Sequence, residues 1–414
     1  LGEHIEFLGY SLEKDEVASG DILQVILFWR ASERIDREYV TFLHVLDDQG
    51  HTVGQQDAPP DGGARPTTSW VAGEIVADRK ATLIQPGTLP GRYNLEVGMY
   101  EAASLTRLPV NEAGKAQATS LWLEPIQVMA PRYLVSADTM WIQHQLEKAL
   151  APGVELLGYD VVPEVYGPKE QVNLSVYVRS PRRAVGVISL VDERGRALEA
   201  RGVTFGLAPD GIFRYYLRFP VFLYTPSGRY HFRLGLAEAG VEPVNFGQVI
   251  VKGTQPLPKA GAPSHPMRAR LGGDFMFLGY DLHTPEGIDA QQLRPGEAIY
   301  LDLYWQALRK SDRRYTVFTH LLGGSVNPAS RSPIWGQHDG EPLSGGYPTT
   351  QWLIGPVILD RHELTVDASA PSGLYELEAG MYLADTGERL PVFDLSGNSL
   401  GDRLLLGKLR VVPP

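Results

Sequence analysis

The amino-acid sequence predicts an all-β protein made of three antiparallel β-sandwiches in tandem. Three observations support this prediction: a set of motifs that occurs three times, apolar residues that alternate with polar ones, and turn signals between the alternating runs. Each repeat opens on a similar tetrapeptide and closes on a turn of proline, glycine and tyrosine, at residues 7–10 and 90–93, 156–159 and 226–230, and 277–280 and 371–375. Self-similarity at a regular spacing indicates homologous domains in series.

The alternating runs predict strands with one buried face. Every second residue is apolar in the run at 23–29, and the runs at 172–178 and 299–305 repeat the pattern in the other two copies. Period-two alternation is typical of antiparallel sheets with one face towards a core. Segments 47–50 and 192–195 carry the aspartate and glycine residues that favour hairpin turns.

Each repeat has about seven such strands and almost no helical periodicity, which predicts a two-sheet sandwich of the immunoglobulin or fibronectin type III kind. The tyrosines of the closing turns, Tyr93, Tyr230 and Tyr375, fit a tyrosine corner. In that arrangement the ring is buried and the hydroxyl bonds to the backbone. A structural role is therefore expected for all three.

The repeats and their junctions predict four segments. These are a first sandwich at 1–130, a divergent second sandwich at 131–252, a proline-rich linker at 253–269 and a third sandwich at 270–414. The linker is expected to be extended and semi-rigid because of its prolines and small residues. Residues 137–150, with apolar residues among polar ones, predict a short helix at the start of the second repeat.

The first seven residues match 271–277 of the third repeat, so the first repeat starts inside its own opening strand. We therefore expect a fragment of a longer polypeptide, or a mature chain from which an upstream part was removed.

Composition excludes several classes of function. The 414 residues carry 38 basic and 49 acidic side chains, a net charge of -11, and show no basic run, which argues against nucleic acid or an anionic membrane as the main partner. No apolar run approaches the roughly 18 to 20 residues that cross a bilayer, so we expect a soluble chain without a membrane-spanning segment. The absence of cysteine excludes disulfides, thiolate metal sites and cysteine nucleophiles. The abundance of arginine and proline is consistent with a thermophile, although GC-rich coding would give the same bias.

Several residues occur in the first and third repeats but not in the middle one. They are Trp29 and Trp305, His44 and His320, Asp57 and Asp339, the Pro-Thr-Thr-x-Trp segments at 66–70 and 348–352, and the Asp-Arg pairs at 78–79 and 360–361. The middle repeat replaces the downstream part of this set with residues 205–213. Because the elements disappear together, we expect one spatial cluster in each of the two repeats.

One interpretation of this cluster is a ligand cleft. An aromatic platform beside a few polar groups suits a sugar ring. The candidates are the aromatic residues Trp70, Tyr347 and Trp352, the hydroxyls of Thr67 and Thr349, and the charged residues Asp57, Arg79, Asp339 and Arg361.

The alternative interpretation is structural. His44 shares strand parity with Phe42, and His320 with Phe318. Each imidazole then becomes a core residue bonded to a carboxylate such as Asp57 or Asp339, and Trp29 and Trp305 belong to the same structural set.

Motifs for catalysis are poor. The segment at 397–401 matches the Gly-x-Ser-x-Gly nucleophile elbow, but a strand pattern follows it where that motif requires a helix. The sequence has no zinc-protease motif, phosphate loop or dinucleotide fingerprint. No catalytic residue, metal or cofactor is therefore predicted, and an enzyme is left as an unsupported possibility.

The motifs at 7–10, 42–44, 66–70, 78–79 and 98–100, with their third-repeat counterparts, resemble a known group of domains. These are the extracytoplasmic β-sandwich repeats that follow the membrane segments of large glycosyltransferase-like or uncharacterised surface proteins of Chloroflexi-type bacteria. The resemblance covers the first and third repeats well and the second only at its ends. It implies an outward-facing, non-catalytic accessory region at the cell surface.

Three hypotheses remain open from the sequence. The first is an extracytoplasmic binding or spacer module, with a cell-surface glycan as partner. The second is a structural surface protein that self-associates into a filament, layer or sheath, and the third is an accessory region of a membrane glycosyltransferase. A sugar module requires Trp70, Tyr347 or Trp352 to be open to solvent, whereas an assembly subunit requires large apolar patches at its ends.

Overall fold

A computed structural model of the chain describes residues 1–112, 115–133, 135–206, 211–238, 240–287 and 292–413. In these ranges the regular structure consists of β-strands and four short 3₁₀ turns, at Pro60–Gly63, Thr67–Ser69, Ala137–Thr139 and Thr349–Gln351. Within the same ranges, no helix has both the length and the apolar character needed to span a membrane.

The first sandwich packs a three-stranded sheet, in the order β1-β3-β6, against a five-stranded sheet, in the order β2-β10-β7-β4-β5, with β8 and β9 as a separate hairpin. Its strands are β1 Ile5–Leu12, β2 Glu16–Ala18, β3 Ile22–Ala31, β4 Tyr39–Leu46, β5 Thr52–Ala58, β6 Ile75–Leu83, β7 Gly91–Glu101, β8 Val110–Glu112, β9 Lys115–Ala118 and β10 Leu121–Met129. The alternating residues Leu23, Val25, Leu27 and Trp29 of β3 are buried in its core, as their spacing predicts.

The second sandwich has sheets in the orders β11-β12-β14-β17 and β13-β19-β18-β15-β16. Its strands are β11 His144–Ala151, β12 Val154–Val161, β13 Val165–Tyr166, β14 Gln171–Arg179, β15 Ala184–Asp192, β16 Ala197–Phe205, β17 Ile212–Pro220, β18 Gly228–Leu236 and β19 Val244–Val251.

The third sandwich has sheets in the orders β26-β23-β21-β20-β28-β29 and β22-β30-β27-β24-β25. Its strands are β20 His265–Leu271, β21 Phe275–His283, β22 Gln292–Leu293, β23 Ala298–Ala307, β24 Thr316–Asn327, β25 Ser332–Gly340, β26 Val357–Thr365, β27 Gly373–Tyr382, β28 Val392–Phe393, β29 Ser399–Gly401 and β30 Leu404–Val411.

The three sandwiches share one topology. In each sandwich the opening strand, β1, β12 or β21, pairs with a long strand, β3, β14 or β23. That long strand also pairs with β6, β17 or β26. The other sheet contains the hairpin β4-β5, β15-β16 or β24-β25. All pairs are antiparallel except three short edge strands, β2, β13 and β22, which run parallel to the last strand of their own sandwich. The chain is thus all-β, with three tandem immunoglobulin- or fibronectin III-like sandwiches, and the predicted fold class is confirmed.

A tyrosine corner closes each sandwich. The hydroxyl of Tyr93 donates to the Leu89 carbonyl at 2.9 Å, and Tyr375 donates to Pro371 at 2.7 Å. Tyr230 donates in the same way to the carbonyl four residues earlier, at 2.5 Å. All three rings are buried. The proline and glycine of each turn bring the chain round so that the hydroxyl reaches this carbonyl.

The helix predicted at 137–150 is wrong. Residues Ala137–Thr139 form a single 3₁₀ turn, and His144–Ala151 is strand β11, paired with β12. Leu146 and Leu150 lie against the core of the second sandwich. Pairing with the open edge of β12 and burial of these leucines outweigh the helix propensity of this polar stretch.

The predicted end of the linker is also wrong. Residues 265–269 belong to β20, which pairs with β21 and lies inside the six-stranded sheet. Ala269 and Leu271 of this strand are fully buried. The alternating stretch is short and begins with His265 and Pro266, so the sequence alone does not distinguish this strand from the linker.

Candidate functional site

The residues shared by the first and third repeats do not form one cluster in each repeat, contrary to expectation. The structure places them in four locations. These are the core, which holds Trp29, Trp305 and the Pro-Thr-Thr-x-Trp loop, the outer face of the five-stranded sheet, the seam between the two sheets, and the outer face of the sheet that contains β6 or β26.

The Pro-Thr-Thr-x-Trp loop is folded into the core. Trp70 is 2% exposed, and Tyr347 and Trp352 are each 1% exposed. The indole nitrogen of Trp70 donates to the Arg65 carbonyl at 2.9 Å, and that of Trp352 donates to the Tyr347 carbonyl at 2.8 Å. The interpretation of these rings as a stacking platform for a ligand is wrong, because neither face of any ring is open to solvent.

The threonines of the same loop are internal as well. In the first repeat, Thr67 Oγ1 donates to the Arg37 carbonyl at 2.7 Å and accepts from the Tyr39 amide at 3.0 Å. In the third repeat, Thr349 makes the same pair of bonds at the same distances to Arg313 and Tyr315. These hydroxyls join the loop to the neighbouring strand connection and are not presented to a ligand.

The two histidines lie on the outer face of the five-stranded sheet. Leu43 and Val45 of β4 point into the core, so His44 on the alternate positions points away from it. Its Nδ1 lies 3.1 Å from a Glu96 oxygen and its Nε2 2.9 Å from an Asp57 oxygen. The predicted carboxylate partner is therefore present, but neither histidine points into the core between the sheets. His320 is nevertheless buried, at 5% exposure, as the structural interpretation predicts.

The third repeat reproduces this arrangement with deeper burial. His320 Nδ1 lies 2.9 Å from Glu378 and its Nε2 3.4 Å from Asp339. The guanidinium of Arg389 covers the ring of Phe318, which stacks on His320. Burial opposes protonation of His320, but the hydrogen bonds to the two carboxylates outweigh it and raise the pKa of the imidazole.

A second polar set lies in the seam where β6 faces the other sheet in the first repeat. Asp78 and Lys80 both point inwards and their charged atoms lie 3.5 Å apart, with both side chains fully buried. Asp78 also accepts from Thr41 Oγ1 at 2.6 Å, and Lys80 Nζ donates to the carbonyls of Thr41 and Ala58 at 3.0 and 3.2 Å.

The third repeat fills the same seam with a hydrogen-bonded chain of three side chains. His362 Nε2 lies 2.8 Å from Asp360, and its Nδ1 lies 2.8 Å from Nδ1 of His338. Burial and the neighbouring His362 lower the pKa of His338. The middle repeat has the apolar pair Tyr215 and Leu217 at these positions.

Sequence reasoning missed Lys80, His338 and His362. The only signal was parity, since Lys80 and His362 lie two residues after Asp78 and Asp360 and therefore share their inward face.

Arg79 and Arg361 lie apart from these sets, on the outer face of the sheet that contains β6 in the first repeat and β26 in the third. Arg79 pairs with Asp61 at 3.1 Å. Arg361 binds both oxygens of Asp302, at 2.7 and 2.9 Å, and covers the ring of Tyr300. The structure does not bring either arginine together with the tryptophan loop or the histidines of its repeat.

The opposite pKa directions of His320 and His338 predict opposing effects of pH on stability. Above the ordinary histidine value of 6.5 the folded state retains a proton on His320 that the unfolded chain has lost, so stability falls as the pH rises through this range. Below 6.5 the folded state keeps His338 neutral while the unfolded chain binds a proton, so stability falls as the pH falls.

We therefore expect His320→Gln to flatten the stability profile above pH 6.5 and His338→Gln to flatten it below that value. Urea unfolding of each variant between pH 5 and pH 8 checks this. The slope of the unfolding free energy against pH should change in opposite directions in the two variants, and a change in the same direction in both would contradict the prediction.

Strand β17 of the middle repeat contacts the first repeat through Arg214 and Tyr216. The Arg214 amide donates to the Gly87 carbonyl at 2.8 Å, and its guanidinium donates to Gln85 Oε1 at 2.7 Å. The ring of Tyr216 stacks on His51, with centroids 4.7 Å apart, and also packs against the core of the first sandwich.

The middle repeat bonds to the third repeat through Glu199. One oxygen of this buried carboxylate accepts from Thr350 Oγ1 at 3.1 Å and from Gln351 Nε2 at 3.2 Å. Gln351 is 0% exposed, and its own oxygen accepts from Thr225 at 2.9 Å. Sequence reasoning did not identify either contact, since the partners lie more than a hundred residues apart.

Comparison with known proteins gives fold-level likeness only. No protein-family description matches the chain, and no curated protein matches it. Similar solved structures include a mutant of Salmonella alpha-2-macroglobulin, with 11% identity over 98% of this chain and 23% of that one and a TM-score of 0.19. Escherichia coli alpha-2-macroglobulin activated by porcine elastase gives 11% identity over 97% and 31%, with a TM-score of 0.19. The FN1–FN3 domains of chicken CNTN1 give 10% identity over 98% of both chains, with a TM-score of 0.18.

The chain spans 23% and 31% of the two macroglobulin chains. At these TM-scores the likeness supports no functional conclusion, and the fold assignment rests on the sheet order described above.

Proposed function

We propose that the chain is a non-catalytic, extracytoplasmic spacer module whose three sandwiches form one semi-rigid unit. The observation that supports this most strongly is that the middle repeat makes side-chain and backbone bonds to both of its neighbours. Domains joined only by flexible tethers move independently, whereas docked domains hold a fixed spacing. The extracytoplasmic location follows from the motif resemblance of the first and third repeats.

Divergence of the middle repeat fits this role. Glu199, which binds the third repeat, stands where the other two repeats have Gly54 and Gly336. Tyr216, which stacks on the first repeat, stands where they have Arg79 and Arg361. The middle sandwich thus carries docking residues at positions that its neighbours use differently.

The segment between the second and third repeats supports the same proposal. The Gln255 amide donates to the Leu223 carbonyl at 2.8 Å, and Leu257 packs against the core of the third sandwich. This proline-rich segment thus contacts both domains, which limits the angles available to them.

A glycan is not part of the proposal. The expectation of a carbohydrate ligand depended on Trp70, Tyr347 and Trp352, and all three are buried. The histidine nitrogens are occupied as well, since both nitrogens of His44 and of His320 face carboxylates.

Distance measurements between spin labels test the spacer proposal. The chain has no cysteine, so Lys14→Cys and Ser396→Cys on exposed sites of the outer repeats give one defined pair of labels. We expect a narrow distance distribution by double electron–electron resonance. A broad distribution in the otherwise unchanged chain would show that the repeats move independently and would exclude a semi-rigid spacer.

Glu199→Ala combined with Gln351→Ala should broaden that distribution. The double change removes the carboxylate and the amide that join the two repeats, while the core of each sandwich stays intact. The matched control is Glu193→Ala, which removes the same charge from an exposed turn of the middle repeat. A distribution unchanged by the double variant would contradict the role of this junction.

A further inference from the structure

The end of the third repeat that faces the middle repeat is built from two loops, residues 308–315 and 345–352, which we call the receiving end. Lys310 Nζ donates to the Leu198 carbonyl at 3.1 Å, and the Gly346 carbonyl accepts from the Tyr224 amide at 3.2 Å. The Arg314 guanidinium lies over the Phe222 ring, 5.4 Å from its centroid. Together with the hydrogen bonds of Thr350 and Gln351 to Glu199, these contacts hold the middle sandwich against the receiving end.

The first repeat contains the same receiving end, at residues 32–39 and 63–70. The strand that precedes the first loop ends at an alanine in both repeats, and the two loops have equal length. The threonine bonds of Thr67 and Thr349 and the indole bonds of Trp70 and Trp352 match one another, so the loops have the same internal scaffold.

In the first repeat this end is uncovered. Ser69 is exposed, whereas its counterpart Gln351 is fully buried beneath the middle repeat. Thr68 is likewise exposed where Thr350 is half-buried.

We propose that the receiving end of the first repeat binds a further β-sandwich whose docking end resembles that of the middle repeat. The defining feature of such a partner is a carboxylate at the position of Glu199, which would face Thr68. An aromatic residue at the position of Phe222 is not required, because Glu38 stands where Arg314 covers that ring in the third repeat. Arg34 stands where Lys310 stands and retains the cation that meets the partner's backbone carbonyl. This inference shares the junction between the second and third repeats with the spacer proposal but makes a separate claim about the first.

The third repeat of a second copy does not fit this description. At the positions of Phe222, Leu223 and Tyr224 it has Asp367, Ala368 and Ser369, and Gly336 replaces Glu199. It therefore lacks both the aromatic residues and the carboxylate that seat the middle repeat. Head-to-tail self-assembly through this surface is accordingly not the arrangement that the residues favour.

An extended chain tests the inference. A second copy of residues 131–270 is placed directly before Leu1, so that the repeats follow in the order two, one, two, three; Leu1-Gly2 matches Leu271-Gly272, which keeps the junction in register. One pair of spin labels is attached at Arg194→Cys in the added copy of the middle repeat and at Asn94→Cys in the first repeat. In a second sample the equivalent pair spans the natural junction, at Arg194→Cys in the original middle repeat and at Glu376→Cys in the third repeat.

We expect a narrow distance distribution for both pairs. Thr68→Arg with Ser69→Arg, which places two large cations on exposed positions, should abolish the narrow peak of the first pair only. Gln24→Arg, on an exposed position of β3, should leave both peaks unchanged, and thermal unfolding verifies that each variant is folded.

A broad distribution for the first pair, or a narrow one that Thr68→Arg and Ser69→Arg do not affect, overturns the inference. If the natural junction stays narrow in that experiment, the spacer proposal stands while the docking inference fails. If both pairs are broad, both fail.

Discussion

Replacing Trp352 by alanine is expected to destabilise the third sandwich by about 3–5 kcal/mol. The side chain is 1% exposed, and its ring packs edge-on against Phe275 with centroids 5.2 Å apart. Truncation leaves a cavity in the core and deprives the Tyr347 carbonyl of its indole donor. Guanidinium unfolding of the full chain, followed by tryptophan fluorescence and circular dichroism, measures the loss.

Two further variants separate core packing from other roles. Trp352→Phe keeps much of the apolar volume and loses the donor, so a smaller loss is expected than for alanine. Trp141→Ala removes an indole that is 97% exposed and should leave stability unchanged. If Trp352→Ala instead unfolded like the wild type and lost binding on a glycan array, the ring would belong to a ligand site and the structural assignment would fail.

The strands and their inner faces could be predicted from the sequence because one local rule governs them. Leu23, Val25 and Leu27 follow period-two spacing, and burial of that face is the largest favourable contribution available to a sheet. The tyrosine corners are equally local, since each hydroxyl bonds four residues back along the chain.

Parity alone does not tell which face of a strand points to the core. In β4 both faces carry apolar residues: Phe42 lies on the outer face under Arg107, and Leu43 lies in the core. His44 shares the face of Phe42, so the same alternation fits a core histidine and a surface one. Only the position of the second sheet distinguishes them, and that is a tertiary property.

The junctions between repeats escaped prediction for a related reason. The sequence predicts that Glu199 lies on a strand but does not indicate its partner, and Gln351 has the character of a polar loop residue. Their bond joins positions 152 residues apart and depends on how two folded domains meet. The tripled pattern showed that the middle copy differs, but the cause of the difference lies in the neighbours that it contacts.

Asp78→Ala is expected to cost about 3–5 kcal/mol in the first sandwich, because it leaves the ammonium of Lys80 buried without its counter-charge. Lys80 is 2% exposed, and burial already lowers its pKa, with Asp78 opposing that shift. Removal of the Asp78 carboxylate is expected to lower the pKa of Lys80 further. The folded variant then binds fewer protons than the unfolded chain below pH 10.5, so its stability should recover as the pH rises towards that value.

The middle repeat suggests the compensating change. It closes the same seam with Tyr215 and Leu217, both buried, in place of the ion pair. Asp78→Tyr with Lys80→Leu should therefore unfold at a denaturant concentration close to that of the wild type, since well-packed apolar residues replace a buried pair at little cost. A double variant as unstable as Asp78→Ala would mean that the hydrogen bonds of Asp78 to Thr41 and Asp61, and not the unpaired lysine, determine the loss.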